Sequence, residues 1–521
     1  MSLLALTLLA LTTFPQETAA PAAKPEPTSG YTLITPLLST KVHLLDLEGN
    51  PVHTWNCDEP PGNSVYLMPD GNLLRAARPK TNTVFRGGGE GGRIQKIAWD
   101  GEVLWDYLLS DDTVLHHHDF EPLPNGNLLL IAWEARTRDE AIAAGRRPEN
   151  VGPAGVWPDH LLEIRPVGKN GAEVVWEWHV WDHLIQDLNP HLPNYGKPSE
   201  HPGRVDVNFA SHKIETEETE GDKNRRKQEE AHLKGIGYMG GDDDHAPDEP
   251  KAEPAKRDVR GADWMHTNGI DYDAEHDLIV ISVRRFDEVW LIDHSTTTEE
   301  ARGSTGGRQG RGGDLVWRWG NPEASGRGES NDQRLYKQHD PTFVRTEGRF
   351  GVLVFNNGNG RPKGNRSSAD EIAIPMTDAG LVAALGPDEA MVPTDVTWSH
   401  MMKRRMYSHF ISGAQRLPNG NTLICSGENG RLVEVTMDGQ IAWYYQNTHG
   451  GDRKYDGPTP SKDAQPDPDL PPKDGPPKTD PPKTGGGGPK PISLFRATRI
   501  PFDHPGLAGK NLPKMAGAEG K

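Results

Sequence analysis

The chain has 521 residues, with 57 Lys and Arg against 75 Asp and Glu and a formal net charge of −18, a balance that offers no basic face for neutralising nucleic-acid phosphates. Its longest apolar run, Leu3 to Leu11, falls well short of the ~20 residues that a membrane-spanning helix requires. An apolar fraction of 34% beside 14 Trp describes a packed core diluted by solvated insertions.

Residues 1–20 combine an apolar stretch with the small-residue end Thr18-Ala-Ala20, the pattern of a secretory signal peptide without its basic start. This places the expected protein in the periplasm or outside the cell, with residues 21–30 as a Pro-rich tether. Two cysteines, Cys57 and Cys425, are too few for a disulfide framework; one bridge or two free thiols both fit.

From there on a two-part phrase recurs. Its first part is Pro69-Asp-Gly-Asn-Leu-Leu74, Pro124-Asn-Gly-Asn-Leu-Leu129 and Pro418-Asn-Gly-Asn-Thr-Leu423, with a degenerate copy at Asp273 to Ile281. Its second part ends in Trp, at Trp55, Trp105, Trp176, Trp317 and Trp443. Asn-Gly and Asp-Gly supply the positive φ of tight hairpin turns, so each phrase marks two turns between strands, which is the pattern of a four-stranded propeller blade. Blades are expected at 65–107, 116–178, 265–319, 338–398 and 407–446, and the strand-like runs at 31–55 and 493–500 are left over at the two ends. Closing a ring without an open edge calls for a sixth blade shared by both ends. The expected fold is therefore all-β, a six-bladed β-propeller over residues 31–500. Segments 211–260, 299–313 and 456–490 read as solvated or disordered insertions without function, and 501–521 as a C-terminal tail.

Histidines recur just upstream of the blade turns: His117 and His118, His266, His339 and His409. First strands of propeller blades converge on one axis, so these imidazoles should share a funnel. Clustered imidazoles serve metal binding or covalent and acid–base catalysis. Asp119 and Asp340 follow two of the histidines and could orient them as metal ligands. Arg361, in the same blade as His339, suits an anionic substrate better than a cation, so no metal is expected.

The segments His117 to Asn127, His266 to Tyr272, Gln338-His-Asp340, Asn356-Asn-Gly-Asn-Gly-Arg361 and Gln415 to Leu423 together resemble the bacterial arylsulfate sulfotransferases. The resemblance implies a six-bladed propeller acting outside the cytoplasm, with an aryl sulfate and a phenol as small-molecule partners and neither a cofactor nor a nucleotide sulfate donor. It implies a sulfohistidine on His409, helped by His266, His339 and Arg361. Substrate contacts are expected from His117, His118, Asn268, Asn357 and Arg496; for the basic residue that the family has in its closing segment, this chain offers Arg496 or Arg499. A homodimer stays open. The competing readings are a catalytically silent propeller that binds a ligand or a protein, and a quinoprotein-type propeller, for which cofactor-stacking and calcium-binding residues are missing.

Overall fold

The computed structural model describes residues 25–79, 82–210, 219–239, 258–386, 389–451 and 492–513. Six four-stranded sheets stand around one axis as a β-propeller. From the axis outward, blade 1 holds Leu494–Pro501, Gly30–Pro36, Lys41–Leu45 and Pro51–Asn56. Blade 2 runs from Pro61–Leu67 to Val103–Leu108, and blade 3 from Val114–Pro122 to Gly171–His179. Blade 4 runs from Thr267–Asp273 to Trp317–Trp319, blade 5 from His339–Thr346 to Trp398–Met401, and blade 6 from Gly413–Arg416 to Ile441–Gln446. Blade 1 takes its innermost strand from the C-terminal side, paired antiparallel with Gly30–Pro36 from Gly30 opposite Pro501 to Pro36 opposite Leu494.

A Trp on the outermost strand has one job in all six blades, and in five of them it is the Trp that ends a sequence phrase. Its indole N–H crosses to the next blade: Trp55 to Ala98 O (3.2 Å), Trp105 to Gly171 O (2.9 Å) and Trp176 to Thr296 Oγ1 (3.2 Å). Trp317 reaches Val392 O (2.8 Å), Trp398 reaches Met437 O (2.8 Å), and Trp443 returns to Leu47 O in blade 1 (2.9 Å). A large apolar ring with one polar handle fills the gap between twisted sheets and satisfies a carbonyl in the same step.

Several insertions differ from the sequence expectation. Segment 299–313 is folded: Thr297 and Glu300 form a capping box on the short helix Thr298–Ala301, and Gly313 O accepts from the buried Trp178 indole at 2.7 Å. Its many glycines allow a compact turn that composition alone cannot distinguish from a loose loop. Within 211–260 the helix Glu220–Gly235 leads to a buried Ile236 and Tyr238, so this insertion is anchored in the protein. Beyond Pro501, Phe502 and Leu507 pack against Tyr31 and Val65, and Pro513 O accepts from the Tyr31 hydroxyl at 2.9 Å. Residues 501–513 therefore belong to the propeller. A two-stranded parallel pair, Leu184–Ile185 with Val205–Asp206, lies between blades 3 and 4 and has no counterpart in the repeat reading. Cys57 and Cys425 are both free thiols. The expected signal peptide 1–20 and linker 456–490 lie outside the described residues, as does the first part of the tether. Among the described residues no helix is long and apolar enough to cross a membrane.

Between blades 3 and 4, His294 bridges Glu163 (3.1 Å) and Asp277 (2.8 Å). Burial opposes its charge, but the two carboxylates outweigh burial and push its pKa up from 6.5 to about 9. The resulting stabilisation is complete below pH 6.5 and is lost as pH rises through about 9. His294→Gln should therefore flatten the alkaline side of a melting-temperature profile across that window, and an unchanged slope would contradict the pairing. Truncation before Leu494 removes the innermost strand of blade 1 and should abolish cooperative unfolding by calorimetry. A truncated chain that melts like the intact one would contradict the closure.

Candidate active site

In each blade the innermost strand leaves one end of the channel and the second strand returns to it. The turns between second and third strands therefore crowd the mouth where the innermost strands begin. At that mouth four innermost strands lose regular pairing, between Pro61 and Val65, His116 and Phe120, Thr267 and Ile270, and His339 and Thr342. Such irregularities re-aim side chains. Left-handed backbone at His118 (φ 56°) and His266 (φ 57°) accompanies a ring-to-ring approach of 4.6 Å between these two histidines.

The proton positions follow from the partners. His117 Nε2 lies 3.2 Å from Asp159 Oδ1, so it carries the hydrogen and leaves Nδ1 bare. His118 Nδ1, 2.8 Å from that bare nitrogen, must donate to it, which leaves His118 Nε2 bare in turn. His266 Nδ1 donates to Asp263 Oδ2, and its Nε2 is likewise bare. Both bare nitrogens face one hydroxyl, that of Tyr238, at 2.6 Å from His118 and 3.2 Å from His266. Burial, then the neighbouring imidazoles and Arg284, hold His118 well below its ordinary pKa. His266 is also lowered by burial, although Asp263 opposes the shift. The site thus presents two bare imidazole nitrogens to a phenolic oxygen, His266 backed directly by Asp263 and His118 by Asp159 through His117.

A family model for arylsulfotransferase (ASST) matches residues 44–449. The chain belongs to the arylsulfotransferase family. No curated protein matches it. Among solved structures, a Bacteroides caccae protein of unknown function is similar at 10% identity and TM-score 0.39, covering 81% of this chain and 95% of that one. Streptogramin B lyase is similar at 10% identity and TM-score 0.34, covering 82% and 84%, and apo AztD from Citrobacter koseri at 10% and 0.29, covering 80% and 82%. Likenesses this distant carry no argument about the chemistry of this arylsulfotransferase.

The residues expected from the sequence fall in five places. His117, His118 and His266 stand together at the mouth, as described. His409 lies in the loop before Gly413–Arg416, half-buried, with its backbone N–H on Glu428 Oε2 (2.9 Å) and its ring 5.7 Å from Phe410. Burial and the Arg284 charge lower its pKa, so this imidazole too is kept neutral. His339 has both nitrogens occupied by the fold: Nδ1 faces Asn357 Oδ1 (2.7 Å) and Nε2 accepts from the Ile411 N–H (3.1 Å). Asn357 in turn donates to Ser408 O and Ile411 O, and Asn268 donates to Gln338 O. These three residues brace the loop and strands that carry the site. Arg361 reaches Ser368 Oγ at 2.6 Å and stands 3.6 Å from Asp370 and 5.6 Å from the Tyr336 ring.

Arg496, expected to touch substrate, is instead held by two carboxylates below the histidines. It contacts Asp119 through two hydrogen bonds (2.7 and 2.8 Å), Asp340 at 2.9 Å, and the Tyr66 hydroxyl. Asp119 and Asp340 therefore do not orient the histidines they follow; alternation along the strand sends each carboxylate to the arginine.

Four residues of the site escape the sequence reading, Asp159 behind His117 among them. Tyr238 arrives from an insertion that composition marks as solvated. Asp263 orients His266 but precedes the repeat. Arg284 sits in the tight turn after Leu278–Val283, with its backbone N–H on His266 O (3.3 Å). No carboxylate lies within ion-pair distance of its guanidinium among the described residues, and its buried Nε has no hydrogen-bond partner. The signal available was positional, since Arg361 follows the second strand of blade 5 as Arg284 follows that of blade 4.

On the metal question, Glu134, His160 and His179 on blade 3 place ligand atoms within 4.8 Å of one another. The two imidazoles are stacked at 3.8 Å and so share no plane for an ion, and Arg136 already neutralises Glu134 at 2.9 Å. Nitrogen NMR of histidine-labelled protein at neutral pH should show His118 neutral and protonated on Nδ1. A resonance pattern with the hydrogen on Nε2 would overturn the proton order derived above.

Proposed function

We propose that this arylsulfotransferase moves a sulfuryl group from an aryl sulfate to a phenol through a sulfohistidine on His409. The observation that carries the reading is a phenolic oxygen seated between the bare Nε2 atoms of His118 and His266. Sulfuryl transfer, like phosphoryl transfer, spreads negative charge over peripheral oxygens, so positioning and fixed cations do most of the work. Arg284 is the cation free to receive that charge, and Arg361 is held at the neighbouring turn to assist.

In the first half-reaction the neutral His409 imidazole attacks sulfur, the N–S bond forms, and the aryl S–O bond breaks. The departing phenolate takes up the proton that the His409 ring loses once its attacking nitrogen carries the sulfuryl group. In the second half-reaction an incoming phenol gives its proton to the bare His266 Nε2 while its oxygen takes the sulfur, with Asp263 stabilising the imidazolium. The expected export signal supports action outside the cytoplasm on small phenols.

Enzyme mixed with a chromogenic aryl sulfate and no acceptor should show a burst of phenol and gain the mass of SO3 on the peptide holding His409. His409→Ala should abolish that label. Asp263→Asn should slow transfer to added phenol by about 100-fold or more, the usual worth of an oriented base. A label on another histidine would reassign the nucleophile, and a burst without any labelled peptide would refute the covalent route.

A further inference from the structure

Tyr238 is a phenol belonging to the chain itself, and its hydroxyl stands against His266 Nε2, the base that the proposed function assigns to the acceptor phenol. It comes from the helix Glu220–Gly235 and the turn that follows, a segment with its own ties to the site. Gly237 O accepts from Arg78 (3.1 Å), and Tyr238 O accepts from the Gly89 N–H (3.2 Å). His232 lies 3.2 Å from Glu428, the carboxylate whose other oxygen holds the His409 backbone. The Tyr238 ring stacks on Phe410 at 5.7 Å, next in sequence to His409, and packs among Leu37, Ile411 and Phe495. Gly88 leaves room for it, since a Cβ there would overlap the ring.

A tyrosine kept only for packing needs one hydrogen-bond partner. This hydroxyl has one hydrogen and two bare imidazole nitrogens competing for it, with carboxylates behind both. That is the environment a base provides for a reacting phenol.

We infer that Tyr238 is an internal acceptor, which fills the aryl subsite and takes the sulfuryl group from the enzyme when no external phenol is present. The inference rests on the function proposed above. The aryl sulfate donor enters with Tyr238 displaced, leaves its sulfuryl group on the histidine and departs as phenol. Tyr238 then returns, its Oη–S bond forms as the N–S bond breaks, and its phenolic proton passes to His266 Nε2. The product is a tyrosine O-sulfate in the chain and a regenerated histidine ready for a second donor.

The test uses the full-length enzyme, 4-nitrophenyl sulfate and no acceptor, and reads both the burst and the peptide masses. The wild type should release about two phenols per active site and carry SO3 on Tyr238, whereas Tyr238→Phe should release about one and carry none there. The variant keeps the ring on Phe410, and its melting temperature checks that the fold is intact. With added phenol, Tyr238→Phe should also show a lower apparent KM for the acceptor, because the built-in competitor is gone. Wild-type enzyme that sulfates added phenol while Tyr238 stays unmodified would overturn this inference alone. Failure to transfer to added phenol as well would instead overturn the sulfotransferase reading beneath it.

Discussion

Arg496 holds the propeller together at its centre. It stands on the closing strand of blade 1 and binds Asp119 of blade 3 and Asp340 of blade 5, so one guanidinium ties three innermost strands across the axis. Each carboxylate also accepts a backbone N–H from the next blade, Asp119 from Ile270 (3.3 Å) and Asp340 from Ala414 (3.0 Å). Removing one partner of such a buried pair costs about 3–5 kcal/mol, because the charge left behind has no solvent. Every position above this cluster is measured from it.

The histidines owe their placement to the same cluster. His118 precedes Asp119 and His339 precedes Asp340, so fixing the carboxylate below fixes the imidazole above. The floor is built of paired charges, while at the mouth the neutral rings of His118 and His266 stand among Asp159, Asp263 and Arg284. Neutral rings favour nucleophilic and base chemistry, and the Arg284 guanidinium beside them attracts an anion strongly because no carboxylate lies within ion-pair distance of it among the described residues. Asp263 and Asp159 complete the arrangement by choosing which nitrogen of each neighbouring ring is bare.

Much of the fold was legible because packing repeats with the sequence. Trp55, Trp105, Trp176, Trp317 and Trp443 marked the interblade clasps before any contact was known; Trp398, the sixth, escaped because no Gly-containing turn precedes it at the usual spacing. The histidine funnel was legible for the same reason. What repeated motifs could not show were the residues that occur once. Tyr238 lies just past a strongly charged helix, and the two buried side chains that follow that helix, Ile236 and Tyr238, are too short a signal against its composition. Arg496 was recognised as special, but only the geometry shows that its charge is taken up by Asp119 and Asp340. His339 shares the register of His118, and only the geometry shows that its hydrogen bonds to Asn357 and Ile411 brace the loop before blade 6.

The order of strands in blade 1 governs how the molecule can be built during synthesis. Gly30–Pro36 emerges early but meets its inner partner, Leu494–Pro501, only after all five other blades have been made. Until then the nascent ring has a gap, and the floor lacks its arginine. The catalytic mouth is therefore assembled in a single late event. A chain still on the ribosome holds most of the histidines but no finished mouth, because the strand that carries Arg496 is the last to be made.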